Sequence, residues 1–276
     1  MIKLKILSEN RDNCEFKGEA GLSVLVEAFN NTFLIDTGFS NLFLENAKLL
    51  NLDISSIDKV VLTHGHNDHT NGVQYLPNRK TIIMHPSAYK KRWSIRRNEF
   101  AGFPLTEEEL KIKHDVITST KPIQFFNNCY FLGEIPMIVD FEQKGNFATT
   151  LDEQLTKIDP TEDDSGIAIT TNNGLFIMTG CGHRGICNVI EQAKKVTQQN
   201  KVWGVFGGFH LRSLEKQKYT IDKTIAYLKE HKIKHLYLGH CISDEVIDYF
   251  MNNLEGVNIV KLSSGKEYSI NLSPLK

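Results

Sequence analysis

Several features that would mark a specialised class are scarce or missing in this 276-residue chain. Its five cysteines, Cys14, Cys129, Cys181, Cys187 and Cys241, are odd in number, scattered, and never spaced as a CxxC pair. That usage excludes a disulfide framework and a four-thiolate structural zinc site, and points to the cytoplasm. No apolar run approaches the ~20 residues needed to cross a bilayer. The opening segment Met1-Ile2-Lys3-Leu4-Lys5-Ile6-Leu7 alternates charged and apolar residues, the pattern of a strand and not of a signal peptide. Charge imbalance is missing too. Thirty-two Lys and Arg against 33 Asp and Glu leave a formal net charge of −1, so no global field draws the chain to nucleic acid or to an anionic membrane. Repeats and low-complexity tracts are absent. What is present is an ordinary folding composition, 41% hydrophobic and 24% charged, on a chain long enough to bury a substantial core.

Short apolar runs at 22–29, 32–35, 59–62, 81–84, 167–170, 175–179, 202–206, 235–238 and 257–262 predict strands. Helical spacing occurs at Ile186, Val189, Ile190, Ala193 and Val196, at Ile221, Ile225 and Leu228, and at Ile242, Val246 and Phe250. Strands cluster early and then alternate with helices, which predicts an α/β chain of layered sheets covered by helices. We read residues 1–276 as one domain. The stretch 86–160 breaks the rhythm. It opens on the basic segment Lys90-Lys91-Arg92-Trp93 and Arg96-Arg97, passes Glu107, Glu108 and Glu109, and holds most of the seven prolines. It is expected as an insertion or substrate flap, with ordinary core elements and a solvated helix as the alternative.

After the apolar run Val60-Val61-Leu62 comes Thr63-His64-Gly65-His66-Asn67-Asp68-His69. Three imidazoles and a carboxylate within six residues form a dense set of zinc-type ligands. In an extended loop His64 and His66 project to the same side, while Asp68 and His69 open the next helix and face a second ion. Gly65 and Gly72 are expected to permit tight turns around them.

This segment resembles the signature of the metallo-β-lactamase superfamily. Phe33-Leu34-Ile35-Asp36-Thr37-Gly38 resembles that superfamily's strand-ending motif, whose aspartate braces the metal loop. Phe176-Ile177-Met178-Thr179-Gly180 resembles the strand that presents a later ligand, and Tyr237-Leu238-Gly239-His240 the segment carrying the last histidine. These motifs stand in family order from residue 22 to about 250. The resemblance implies an αβ/βα four-layer sandwich with the 86–160 region inserted as a flap. A narrower resemblance, to the branch named after the archaeal dihydropterin–ribofuranosyl-aminobenzene-phosphate synthase, rests on Thr179-Gly180-Cys181-Gly182-His183-Arg184-Gly185, Gly207-Gly208-Phe209-His210-Leu211 and Gly239-His240-Cys241.

By the resemblance His64 and His66 bind a first ion, and Asp68, His69 and His240 a second. Most of the superfamily takes the first site's third ligand from a histidine ahead of a bridging aspartate. Here no histidine lies between His114 and His183, and Cys181 stands where that aspartate would be. The candidates rank His183, then Cys181, then Asp164 of the acidic group Glu162, Asp163 and Asp164, and a single-ion site stays open. Asp36 is expected to orient a ligand histidine. Histidine-rich ligation points to two zinc ions, with iron or manganese as alternatives. Such a centre supplies hydroxide at neutral pH, so the expected activity is hydrolysis of a small ester or phosphoester, with Asp68 orienting the nucleophile and His210 as a candidate acid. Arg96 and Arg97, with Trp93, are weaker candidates for binding a phosphate-bearing small molecule; a solvated face is their plainer reading. The competing readings are a transferase joining an activated pterin to an aromatic amine-linked ribose phosphate, and a di-iron redox or non-catalytic metal module on the same fold.

Overall fold

The computed structural model describes residues 1–142 and 148–275. Among these, residues 1–121, 148–163 and 263–271 form one compact unit, and residues 122–142, 164–262 and 272–275 form another.

Seven strands cross the first unit in the order Glu267–Ile270, Ile2–Ser8, Ser23–Ala28, Asn31–Ile35, Lys59–Val61, Thr81–Met84 and Asp115–Thr118. The first four pair antiparallel. Between Ser23–Ala28 and Asn31–Ile35 lies the two-residue turn Phe29-Asn30, with φ of 52° and 71°, the positive pair that a tight hairpin matched to strand twist requires. From Asn31–Ile35 onward the pairing is parallel. Each parallel strand must then be followed by a crossover, so its carboxyl end opens into a loop. Helix Leu42–Leu49 packs on Ile2–Ser8. It buries Phe43 and Ala47 in a cluster with Leu7, Leu34, Val60 and Ile82, and Asn46 donates to the Leu7 carbonyl at 2.8 Å.

The second unit repeats the design. Its strands run Asn258–Lys261, His235–Leu238, Val202–Gly207, Gly174–Thr179, Gly166–Thr171, Cys129–Phe131 and Ile123–Phe126. The first four are parallel and the rest antiparallel. Helix Ile186–Thr197 lies on Gly166–Thr171 and Gly174–Thr179. Its apolar stripe of Ile186, Val189, Ile190 and Ala193 is fully buried, worth roughly 1.5–3 kcal/mol for each large side chain. Helices Leu214–Glu230 and Asp244–Asn253 complete this core, each capped by a serine, Ser213 and Ser243, that accepts a backbone N–H of the first turn.

The span 86–160 supplies Asp115–Thr118 to the first sheet and Ile123–Phe126 and Cys129–Phe131 to the second. A separate two-stranded ribbon joins Trp93–Ser94 to Thr149–Thr150. No helix among the described residues is long and apolar enough to cross a membrane.

Candidate metal centre

The first unit places its histidine loop at the carboxyl end of Lys59–Val61, beside the carboxyl end of Asn31–Ile35, where open parallel sheets bind ligands. Asp36, fully buried, turns there with φ 52°, a left-handed backbone that aspartate tolerates better than most residues. Its Oδ1 accepts the Thr63 N–H at 2.7 Å, and its Oδ2 accepts the Thr63 hydroxyl and His69 Nδ1–H, both at 2.7 Å. Helix Asn67–Thr70 starts immediately after His66 and carries Asp68 and His69.

For neutral rings these contacts select the imidazole tautomers. The Thr63 hydroxyl spends its one hydrogen on Asp36, so at 3.1 Å from His64 Nδ1 it can only accept. The proton therefore sits on Nδ1, and Nε2 of His64 carries the lone pair. The Thr149 hydroxyl spends its hydrogen on Asp159 Oδ2 at 3.1 Å and lies 3.0 Å from His66 Nε2. His66 is thus protonated at Nε2, with its lone pair on Nδ1. His69, donating from Nδ1, keeps its lone pair on Nε2.

The lone-pair nitrogens of His64 and His66 face each other at 3.1 Å. Two acceptors at that distance repel unless a proton or a metal ion lies between them, and two nitrogens each ~2.0–2.1 Å from one zinc ion can have that spacing. His69 Nε2 stands 4.0 Å from an oxygen of the partly exposed Asp68. The His64 ring packs 4.7 Å from that of His66 and 4.2 Å from that of His69. The donor set fits a divalent metal.

Gly65 and Gly72 correct their expected role. Neither has a left-handed φ; both are needed for close approach. A Cβ on Gly65 would sit 2.1 Å from the Ala88 carbonyl, and one on Gly72 2.0 Å from that of Thr37.

The basic segment is divided. Arg92 is wholly buried, donating to Asp159 at 2.6 Å and Asp163 at 2.5 Å. Its burial works against the charge, but Asp163 and Asp159 more than offset that and raise its pKa. Lys90 pairs with Glu162 at 2.5 Å, and Arg97 pairs with Glu99 at 2.6 Å on the surface, beside exposed Arg96. Trp93 packs edge-on against Phe100, 5.8 Å away. Of the acidic group, Asp163 also accepts the Gly65 N–H at 2.6 Å.

In the second unit the parallel strands again end at candidate site residues. Cys181 and His183 follow Gly174–Thr179, His210 follows Val202–Gly207, and His240 with Cys241 follows His235–Leu238. All five are buried. His210 and His240 have φ of 50° and 56°, and non-glycine residues held in that region cluster at functional sites. The ligand atoms of Cys181, His240 and Cys241 lie within 4.8 Å of one another. Cys241 Sγ accepts the His210 N–H at 3.2 Å and donates to the Cys181 carbonyl at 3.4 Å, so its thiol is engaged in holding the two loops. The rings of His183 and His210 are 4.3 Å apart. Asp164 accepts the Arg184 N–H at 3.0 Å, bracing the loop that carries Cys181 and His183.

Thr63, Thr149 and Asp159 carry no motif of their own. Thr63 could have been suspected from its place between Leu62 and His64. Thr149 and Asp159 leave no local signal.

A family model described as the metallo-beta-lactamase superfamily matches residues 17–181. The 7,8-dihydropterin-6-methyl-4-(beta-D-ribofuranosyl)-aminobenzene-5'-phosphate synthase of Methanocaldococcus jannaschii is 32% identical to this chain, over 96% of it and 95% of the synthase. Among solved structures, Tm1679, described as a metal-dependent hydrolase of the beta-lactamase superfamily, matches with a TM-score of 0.84 and 25% identity over 98% of this chain and 99% of that one. A diphosphatase from the PhnP family shares the fold at a TM-score of 0.54 and 16% identity, with 100% of both chains covered.

Proposed function

The chain belongs to the metallo-β-lactamase superfamily and has its α/β fold, and from that premise we propose that it is a hydrolase that opens a small ester or phosphoester at a centre of two divalent ions. The observation that carries this reading is the set of fixed tautomers, which turns one lone pair of each of His64, His66 and His69 away from its protein partner. We assign His64, His66 and His183 to one ion and Asp68, His69 and His240 to the other, with Cys181 in the place of the family's bridging aspartate. Imidazole and carboxylate ligands suit zinc, and also admit iron or manganese. Ions held there would supply activated water and would polarise the carbonyl or phosphoryl oxygen of the substrate, making its carbon or phosphorus more electrophilic.

The chain's own residues do the rest. Asp36 holds His69 directly and His64 through Thr63, keeping both rings in the ligating tautomer. Asp68 orients the attacking water through its second carboxylate oxygen. His210 gives a proton to the leaving oxygen. Exposed Arg96, three residues after Trp93 in the sequence, suits a phosphate-bearing small molecule. The free cysteines suit a reducing compartment, the cytoplasm.

A second reading is favoured by the 32% identity to the synthase: a transferase in which the same centre passes the dihydropterin-methyl group of an activated pterin to a ribofuranosyl-aminobenzene phosphate, the activating group leaving the pterin and the acceptor giving up a proton. Metal quantification on the purified protein, followed by a screen of phosphodiesters, thioesters and lactones and of that pterin–arylamine pair, separates the two. The hydrolase reading expects bound metal and turnover of an ester, lost on chelation and restored by zinc. Turnover of the pterin–arylamine pair alone would replace it with the transferase, and wild-type protein that binds no divalent ion would overturn both.

A further inference from the structure

Arg92 sits in a basic run, yet its side chain is entirely buried. Nε donates to Asp159 at 2.6 Å and Nη2 to Asp163 at 2.5 Å, while Nη1 and Nη2 also reach the carbonyls of Ala88 and Ser87 at 3.1 and 3.2 Å. Both carboxylates lead to the histidine loop. Asp159 accepts from Thr149, which accepts from His66 Nε2. Asp163 accepts the N–H of Gly65, the residue between His64 and His66.

We propose that Arg92, acting through Asp159 and Thr149 and through Asp163 and Gly65, is a positioning residue that holds His66 in its ligating tautomer and fixes the loop between His64 and His66. This rests on the reading of His66 as a metal ligand. A planar guanidinium can hold two buried carboxylates at divergent angles while donating to two carbonyls, and an ammonium cannot reproduce that fork. Asp159 Oδ2 accepts from both Arg92 and Thr149, while Asp163 gives Oδ1 to Arg92 and Oδ2 to Gly65, so the guanidinium holds both carboxylates as acceptors toward the loop. If Thr149 loses its hydroxyl, the His66 Nε2–H loses this acceptor, and the contact that disfavours a proton on Nδ1, the ligating atom, goes with it. Partners of this kind change metal affinity by ~10–100-fold.

Arg92→Lys probes the far end but also disturbs two buried carboxylates, so the deciding variant is Thr149→Val, which keeps the side-chain shape and removes only the relay. The readouts are zinc affinity by competition with a chromophoric chelator and the ligand-field spectrum of the cobalt-substituted protein, with melting of the metal-free form as a control. The expected result is zinc affinity ~10-fold or more below wild type with an altered cobalt spectrum, an unchanged fold, and recovery of both in Thr149→Ser. Thr149→Val protein with wild-type affinity and spectrum would overturn the relay while leaving the metal site intact. A wild-type protein that binds neither ion would instead remove the reading on which the relay depends.

Discussion

Replacing Asp36 by Asn keeps the size of a side chain with no exposed surface and changes only what its oxygens can do. The carboxylate receives three donors: the N–H and O–H of Thr63, and Nδ1–H of His69. An amide has one acceptor oxygen. If that oxygen faces the Thr63 N–H, the NH2 faces His69 Nδ1–H; if it faces His69, the NH2 meets the Thr63 N–H. Either way one buried donor opposes another, at a cost of ~1–3 kcal/mol in the metal-free protein. A further loss falls on the metal, because His69 becomes a poorer ligand once its N–H partner is no longer charged. That loss is expected at ~10–100-fold in zinc affinity. Urea unfolding of the metal-free protein reads the first effect, and chelator competition near neutral pH reads the second. Asp36→Asn protein that binds zinc within about threefold of wild type and unfolds within about 0.5 kcal/mol of it would refute the idea that this carboxylate sets the tautomers.

Two other substitutions probe separate parts of the structure. Gly65→Ala places a methyl against the Ala88 carbonyl and 2.6 Å from Arg92 Nη1, and is expected to cost at least ~1–3 kcal/mol and to abolish metal binding; Gly256→Ala, with nothing within 4 Å, costs only ~1–2 kcal/mol of left-handed strain and keeps the metal, as calorimetry with metal analysis would show. Burial pushes the Glu142 carboxyl up to about 7 from 4.5, so between those values the native state holds more protons than the unfolded one and stability falls as pH rises, by about 3 kcal/mol across the window. Glu142→Gln should flatten that slope in urea titrations at about pH 4.5 and about pH 7, and an unaltered slope would show that Glu142 is not its source.

Much of this was legible in the sequence, because the informative patterns are local. Two-sided burial makes Gly166–Thr171 and Gly174–Thr179 read as continuous apolar runs, and Ile186, Val189, Ile190 and Ala193 carry a helical period that the structure turns into one buried stripe. The histidine loop is compact in sequence because one short stretch after Lys59–Val61 carries His64, His66, Asp68 and His69. What stayed hidden depends on contacts between distant residues. Glu267–Ile270 is half-exposed and finds its place only by pairing with Ile2–Ser8. Arg92 reads as one more surface cation, since the partner that buries it, Asp159, is 67 residues away. Gly65 looks like turn chemistry, yet its constraint comes from a carbonyl and a guanidinium contributed by later residues.

The carboxylate that anchors Gly65 lies 98 residues downstream of it. At ~5–20 residues per second of synthesis, His64 and His66 leave the ribosome roughly 5–20 s before Asp163 follows. Through that interval the imidazoles exist without their guanidinium-held scaffold, free to meet any cation in the surrounding fluid with no preferred geometry. Any selection by geometry is therefore open only to the finished protein, after translation has delivered the distant acids, and until then the emerging imidazoles can sort ions only by their intrinsic affinity for each.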